Sequence, residues 1–165
     1  MLAAMPARLR AAGPADAADI HRLIVDLATY EREPDAVEVT VDTLRDQLAS
    51  ERPPFECLLA EDGGGAVVGF ALYFHNYSTW RGRPGLYLED LFVDPSARGR
   101  GIGKQLLERL AQLAVERGCA RMDWAVLDWN APAIAFYESL GARAVADWTI
   151  FRLTGPALLN LSEST

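Results

Sequence analysis

A short run of basic and glycine residues has the chemistry of an anion-binding site. Arg98, Gly101 and Gly103 are spaced as Arg-x-x-Gly-x-Gly. They join a segment of strand composition, residues 86–93, to an apolar-periodic segment that begins at Ile102. A glycine loop between a strand and a helix points unpaired main-chain amides outward, and the helix dipole favours negative charge there. The pattern predicts a site for a phosphorylated ligand.

Two other phosphate-binding motifs fit the spacing less well. A P-loop requires Ser or Thr after its Gly-Lys pair, whereas Gln105 follows Gly103-Lys104. A dinucleotide fingerprint is G-x-G-x-x-G, but Gly99, Gly101 and Gly103 form G-x-G-x-G, and position 104 is Lys. A glycine-rich turn that binds nothing is the remaining alternative.

A carboxylate interrupts the strand that precedes this loop. Strict alternation assigns one face to Tyr87, Glu89, Leu91 and Val93 and the other to Leu88, Asp90 and Phe92. Desolvation of Glu89 would raise its pKa and suit a general base, directly or through a water, and its charge would also bind a cationic amine. The alternative for Glu89 is an ion pair with an arginine at the strand end. Asp90 equally fits an internal hydrogen-bond anchor.

Two tyrosines are further candidates. Tyr137 follows Asn130 and Pro132 in a predicted helix, and a phenol with a pKa of about 10 is protonated at neutral pH and can donate a proton. A core aromatic residue is the alternative. Tyr30 and Glu31 lie at a predicted helix end with Glu33 and Asp35 close by, where the residues by themselves indicate a solvated acidic turn.

The periodicity along the chain predicts an open α/β domain that positions these residues. The predicted strands cover residues 8–11, 55–61, 67–73, 86–93, 121–126 and 148–153. Three predicted helices follow the capping residues Asp16, Thr40 and Asn130, and a fourth begins at Ile102. The helix after Asn130 has Pro132 in its first turn. A polar aromatic loop is expected at residues 76–84, and a short tail at residues 156–161.

Composition limits the classes of partner. The chain has 165 residues, half of them apolar, and a net charge of −7, which argues against nucleic acid and anionic membrane surfaces and suits a cationic small molecule. Its two cysteines and two histidines lack metal-ligand spacing, so no metal is expected. Without an apolar run of about 18 residues, a cytosolic protein is expected.

Three segments together resemble one enzyme superfamily. They are Leu-Asp-Trp-Asn-Ala-Pro-Ala-Ile-Ala-Phe-Tyr-Glu-Ser-Leu-Gly-Ala at 127–142, Tyr-Leu-Glu-Asp-Leu-Phe-Val at 87–93, and Arg-Gly-Arg-Gly-Ile-Gly-Lys at 98–104. By their order along the chain and their separations, these segments resemble the GNAT superfamily of N-acetyltransferases. Within it they resemble the spermidine/spermine N-acetyltransferase family with its thialysine-acetylating members. The similarity extends from Arg10 to about Leu153.

The resemblance implies a GNAT fold, in which a mixed central sheet with flanking helices is splayed between two parallel strands. It implies a single domain over residues 1–165, acetyl-CoA as cosubstrate and a homodimer. The implied pyrophosphate loop comprises Arg98, Gly99, Arg100, Gly101, Ile102, Gly103 and Lys104. The residues implied to contact the pantetheine arm or line the cofactor are Leu91, Phe92, Val93, Asn130, Ala131, Pro132 and Tyr137.

The resemblance also implies catalytic and acceptor residues. Tyr137 corresponds to the general acid, and the amide of Val93 is the expected oxyanion donor if a bulge at that position releases it from the sheet. Implied acceptor contacts are Tyr30, Glu31, Glu89, Asp123, Trp124 and Asp147. The segment between Gly141 and Trp148 is shorter than in vertebrate polyamine enzymes, which leaves Asp147 and polyamine specificity open.

The predicted activity is direct transfer of an acetyl group from acetyl-CoA to a primary amine of a small cationic acceptor. Thialysine, a lysine-like amino acid, a diamine and a polyamine are the acceptors considered. Two alternatives are a CoA-binding regulatory module without catalysis and an acetyltransferase for protein lysines or N-termini.

Overall fold

The computed structural model describes residues 7–163, and its backbone divides into two compact units, one ending at Ala125 and the other beginning at Val126. The first unit contains strands β1 (Arg8–Ala11), β2 (Glu56–Glu61), β3 (Val67–Ser78), β4 (Arg83–Val93) and β5 (Met122–Trp124). Its helices are α1 (Ala17–Tyr30), α2 (Val41–Ala49) and α3 (Ile102–Glu116). The second unit contains α4 (Ala131–Ser139) and α5 (Gly155–Ser162).

The five strands form one mixed sheet in the order β1-β2-β3-β4-β5. The pairs from β1 to β4 are antiparallel, whereas β4 and β5 are parallel because α3 crosses between them. The β4–β5 ladder joins only residues 86–88 to residues 122–124, although β4 continues to Val93. This ladder ends at Leu88 because β5 ends at Trp124, so β5 does not pair with residues 89–93 of β4. The mixed sheet with a parallel β4–β5 pair and flanking helices confirms the predicted fold class.

Apolar side chains bury both faces of this sheet. On one face, Ile20 and Leu23 of α1 and Leu44 of α2 pack in one cluster with Phe70 and Phe92. α3 packs against β3 and β4 and buries residues at helical spacing, namely Ile102, Leu106, Leu107, Leu110, Leu113 and Ala114. With both faces covered, the functional residues lie at strand ends and in the loops that follow them.

A register shift changes which side chains share a face of β4. Tyr73 pairs with Leu88, but its neighbour Leu72 pairs with Asp90, so Glu89 is an extra residue in β4. Because Leu72 and Tyr73 point to opposite faces, Asp90 and Leu88 do so as well. Strict alternation along residues 87–93 is therefore wrong, and Asp90 lies on the face covered by α1 and α2.

Several predicted boundaries differ from those observed. β3 and β4 form one long hairpin, so most of the predicted loop at residues 76–84 is strand. β5 is limited to three residues, and Asp16 precedes α1 without a capping hydrogen bond because its carboxylate accepts from Arg10 and from the Gly13 amide. Residues 148–153 form no strand, and the predicted tail contains α5. Within residues 7–163, none of the helices has the length and apolarity needed to cross a membrane.

Candidate active site

The loop between β4 and α3 has the geometry expected of an array of amide donors. Gly99 and Gly101 have φ angles of 76° and 77°, and Gly101 is the N-cap of α3. A Cβ at either position would meet no atom within 4 Å, so the left-handed backbone, not a lack of space, requires glycine. The amides of the first α3 turn have no acceptor within the helix. The Arg98 amide already donates to Pro95 O at 3.3 Å, so the available donors begin after it.

The last residues of β4 direct alternate main-chain groups away from β3. Asp94 N donates to Val68 O at 2.8 Å, which makes Val93 and Gly69 a non-hydrogen-bonded pair. The amide of Val93, and by alternation that of Leu91, therefore faces the β5 side of β4, beyond the point where the β4–β5 ladder ends. Phe92 directs its main-chain groups toward β3. The bulge expected at Val93 lies instead at Glu89, but the Val93 amide still points out of the β3–β4 ladder.

The more buried carboxylate of the Glu89–Asp90 pair is Asp90. Glu89 is exposed at the bulge, which contradicts the expected desolvation. Burial, followed by the charges of Glu89 and Glu31, raises the pKa of Asp90 to about 6. Burial also raises the pKa of Glu31 above its ordinary value. A concentration of negative charge thus lies beside the end of α1, where a cationic group would be stabilised.

An aromatic and cationic contact joins this acidic region to the loop. The guanidinium carbon of Arg98 lies 5.2 Å from the ring centroid of Tyr30 and 5.2 Å from that of Phe92. Its Nε donates to Val93 O at 2.9 Å. The sequence motif gave no indication of this contact, because a role for the loop amides leaves the Arg98 side chain unassigned.

The other cations of the loop are exposed. Arg100 Nη2 donates to Ser96 O at 3.3 Å, and Lys104 Nζ lies 3.6 Å from a carboxylate oxygen of Glu108. These contacts are local and solvated, so both cations can reorient toward an anion at small cost.

The remaining predicted acceptor residues lie in β5 and in the second unit. Asp123 Oδ2 accepts from Arg121 Nε at 2.7 Å, so part of its charge is already neutralised. Trp124 is half-buried at the end of β5. Asp147 belongs to the second unit, in an exposed segment that is neither helix nor strand.

In the second unit, Asn130 and Tyr137 belong to one helix. Asn130 Oδ1 accepts from the Ala133 amide at 3.3 Å and caps α4, and Pro132 lies in the first turn, as the sequence predicts. Tyr137 is half-buried, and its ring centroid lies 5.5 Å from that of Phe136. The cap fixes where α4 begins, and Tyr137 follows seven residues later, about two turns along the helix.

The two cysteines are free thiols. Cys57 is buried in β2, and burial raises its pKa far above the ordinary value, so it does not form a thiolate at neutral pH. Among residues 7–163, no group of three or more His, Cys, Asp and Glu side chains is arranged to hold a metal ion.

A mixed sheet whose parallel ladder ends at Leu88, followed by a left-handed glycine loop at a helix start, fits the class of acyl-CoA-dependent transferases. Residues 18–142 match the acetyltransferase (GNAT) family. The chain belongs to this family, which confirms the predicted superfamily and its N-acetyltransferase activity, and members of the family use acetyl-CoA.

Curated relatives carry the similarity along nearly the whole chain. A thialysine N-epsilon-acetyltransferase from Bos taurus is 40% identical over 164 residues, covering 93% of this chain and 96% of that protein. An L-ornithine N5-acetyltransferase from Arabidopsis thaliana is 33% identical, covering 93% of this chain and 87% of that protein. Among solved structures, an integron cassette protein from the mobile metagenome of V. cholerae has a TM-score of 0.81 and 29% identity, covering 97% of this chain and 99% of that one.

Proposed function

We propose that this protein transfers the acetyl group of acetyl-CoA to a primary amine of a small cationic acceptor by direct attack in a ternary complex. The acceptor is thialysine, a lysine-like amino acid, a diamine or a polyamine. The observation that carries the proposal is the loop from Arg98 to Lys104. It follows the end of β4 and leads into the first turn of α3, whose amides have no acceptor within the helix. The curated relatives named above, which act on thialysine and ornithine, support the acceptor class.

In this proposal the loop and the end of β4 hold the cosubstrate. The amides after Arg98 bind the diphosphate, and the outward main-chain groups of Leu91 and Val93 bind the pantetheine arm. The Val93 amide faces away from β3 and is therefore a suitable donor to the oxyanion that develops on the thioester carbonyl. Phe92 contributes to the same segment, and Asn130, Ala131 and Pro132 line the cosubstrate, as the family resemblance implies.

The acceptor binds through negative charge and an aromatic ring. Tyr30, Glu31 and Glu89 remain the proposed contacts, and the raised pKa of Asp90 indicates how strongly negative their surroundings are. A cation placed beside these carboxylates relieves their mutual repulsion. Asp123, Trp124 and Asp147 are proposed as secondary contacts, with Asp123 already shared with Arg121.

The chemistry requires a neutral amine nucleophile and a proton for the departing thiolate. Exposed Glu89 is proposed to take the proton from the ammonium, directly or through a water, or to bind it. Tyr137 is proposed to protonate the CoA thiolate. The buried thiol of Cys57 has a raised pKa and is unsuited to covalent catalysis, which supports direct transfer.

The test is acetyl-CoA turnover measured against a panel of amines, with Tyr137→Phe compared with wild type. Loss of the phenol should reduce kcat by about 10²-fold or more, the usual range for a general acid. Tyr77→Phe is the matched control, because Tyr77 is 61% exposed on β3 and has no proposed role in the reaction. Tight acetyl-CoA binding without turnover of any amine would favour a silent CoA-binding module, and preferential turnover of peptides would favour protein acetylation.

We also propose that the two units act as a single domain and that the protein is a cytosolic homodimer. The described part of the second unit exposes large apolar side chains, including Trp148 at 70%, Ile150 at 77% and Phe151 at 92%. Exposed apolar side chains of this kind favour association with a second copy. The free thiols Cys57 and Cys119 suit a reducing compartment. Light scattering during size-exclusion chromatography tests the dimer, and a monomer at micromolar concentration would contradict it.

A further inference from the structure

The Arg98 side chain joins three structural elements. Its Nε donates to Val93 O at 2.9 Å, and its guanidinium carbon lies 5.2 Å from the ring centroids of both Tyr30 and Phe92. Phe92 is buried and belongs to the α1–α2 core, whereas Tyr30 is 38% exposed. The guanidinium therefore lies close to a buried ring, a main-chain carbonyl and a partly exposed ring.

The partly exposed ring, that of Tyr30, lies where α1 ends. Tyr30 is the last residue of α1, Glu31 follows as its C-cap, and Arg32 adopts a left-handed φ of 68°. The Glu31 amide donates to Leu27 O at 2.9 Å, so the orientation of Glu31 follows that of the last helical turn. Tyr30 and Glu31 are consecutive at the end of α1, so a contact that holds Tyr30 also holds the backbone from which the Glu31 side chain extends.

We propose that Arg98 is a positioning residue for the acceptor. It holds Tyr30, and through Tyr30 the Glu31 carboxylate, in place from the cosubstrate loop. The amides beyond Arg98 bind the diphosphate of the cosubstrate. The amide of Arg98 itself donates to Pro95 O, and its guanidinium positions the contacts of the amine acceptor. This inference rests on the proposed function, in which Tyr30 and Glu31 contact the amine.

The test separates the KM for the amine from the KM for acetyl-CoA. Arg98→Lys keeps the positive charge but removes the planar guanidinium and the Nε donor, so one group can no longer contact both rings and bond to Val93 O. Cation–π contacts at exposed sites correspond to about a two- to fivefold change in affinity. We expect the amine KM to rise by about that factor, with a smaller change in the KM for acetyl-CoA.

A matched control comes from the same loop. Arg100 contacts Ser96 O within its own loop. Arg100→Lys should therefore affect the KM for acetyl-CoA more than that for the amine, the reverse of Arg98→Lys. If both variants change only the KM for acetyl-CoA, the inference is wrong while the proposed function stands.

A double-mutant cycle then tests the contact with Tyr30. Tyr30→Phe keeps the ring and Tyr30→Leu removes it, so Arg98→Lys should raise the amine KM in the Phe background and have no further effect in the Leu background. An equal effect in both backgrounds would overturn the inference. If Arg98→Lys fails to fold, Tyr30→Leu against Tyr30→Phe tests it from the α1 side, and equal amine KM values would overturn it. Absence of turnover by the wild-type protein would overturn the proposed function as well.

Discussion

Asp90→Asn should make this protein more stable and less active at neutral pH. Asp90 follows the bulge in β4 and faces the α1–α2 side of the sheet, where burial and the charges of Glu89 and Glu31 raise its pKa from 3.8 to about 6. The ionised form of Asp90 destabilises the folded protein in these surroundings, but its negative charge favours the binding of a cation. Removing the charge should therefore raise the free energy of unfolding and weaken binding of a cationic amine.

The size and pH dependence follow from linkage. A shift of roughly two pKa units corresponds to about 3 kcal/mol of unfavourable ionisation, and partial exposure of Asp90 reduces this to about 1–2 kcal/mol. Because the pKa is higher in the folded state, the folded protein binds more protons than the unfolded chain between pH 3.8 and about 6. The contribution of this group to stability therefore falls as pH rises through that window, and the penalty is complete above it.

Urea unfolding at several pH values between 5 and 8 measures the effect. Asp90→Asn should exceed wild type by about 1–2 kcal/mol at pH 7.5, with the difference shrinking below pH 6 and the m-value unchanged. Glu89→Gln is the control, because it removes only a neighbouring charge and should stabilise less. A less stable Asp90→Asn protein at pH 7.5 would refute the reasoning, since it would mean that hydrogen bonds hold Asp90 ionised.

Three further substitutions test the scaffold. Gly101→Ala places a side chain at φ 77°, which should cost about 1–3 kcal/mol and raise the KM for acetyl-CoA; an unchanged KM would argue against the loop as the diphosphate site. Gly69→Ala would bring a Cβ to 3.1 Å from Phe92 O, so β3 and β4 must move apart, with a loss of about 1–3 kcal/mol in urea unfolding. Asn130→Ala should lower the melting temperature by removing the α4 cap, at a cost of about 1 kcal/mol, whereas Asn130→Asp should retain most of it.

Local patterns were sufficient where the side chains themselves set the structure. The sequence predicted β1 at residues 8–11, the Thr40 cap of α2 and the Asn130 cap of α4, and all three are observed. In each helix cap a short polar side chain accepts from an amide three residues later, which depends only on neighbouring residues. The glycines between β4 and α3 were similarly sufficient for the loop, because the left-handed backbone of Gly99 and Gly101 needs no distant partner.

The prediction failed where the partner strand decides the outcome. Residues 148–153 have strand composition but form no strand, because strand formation needs pairing that composition does not supply. The bulge at Glu89 is likewise set by the register of β3 against β4, and one extra residue exchanges the faces of the side chains that follow. The sequence therefore identified a carboxylate pair but not which member is half-buried and which is exposed.

The sequence by itself determined the family and the glycine loop before α3, and it indicated candidate groups for anion binding, proton transfer and amine binding, since these follow from residue types at fixed spacing. Only the tertiary structure showed that Asp90 is the perturbed carboxylate, that the Val93 amide faces away from β3, and that Arg98 lies against Tyr30. Each of these depends on residues far apart in the chain. Their contacts arise from strand register and helix packing, which no local pattern encodes.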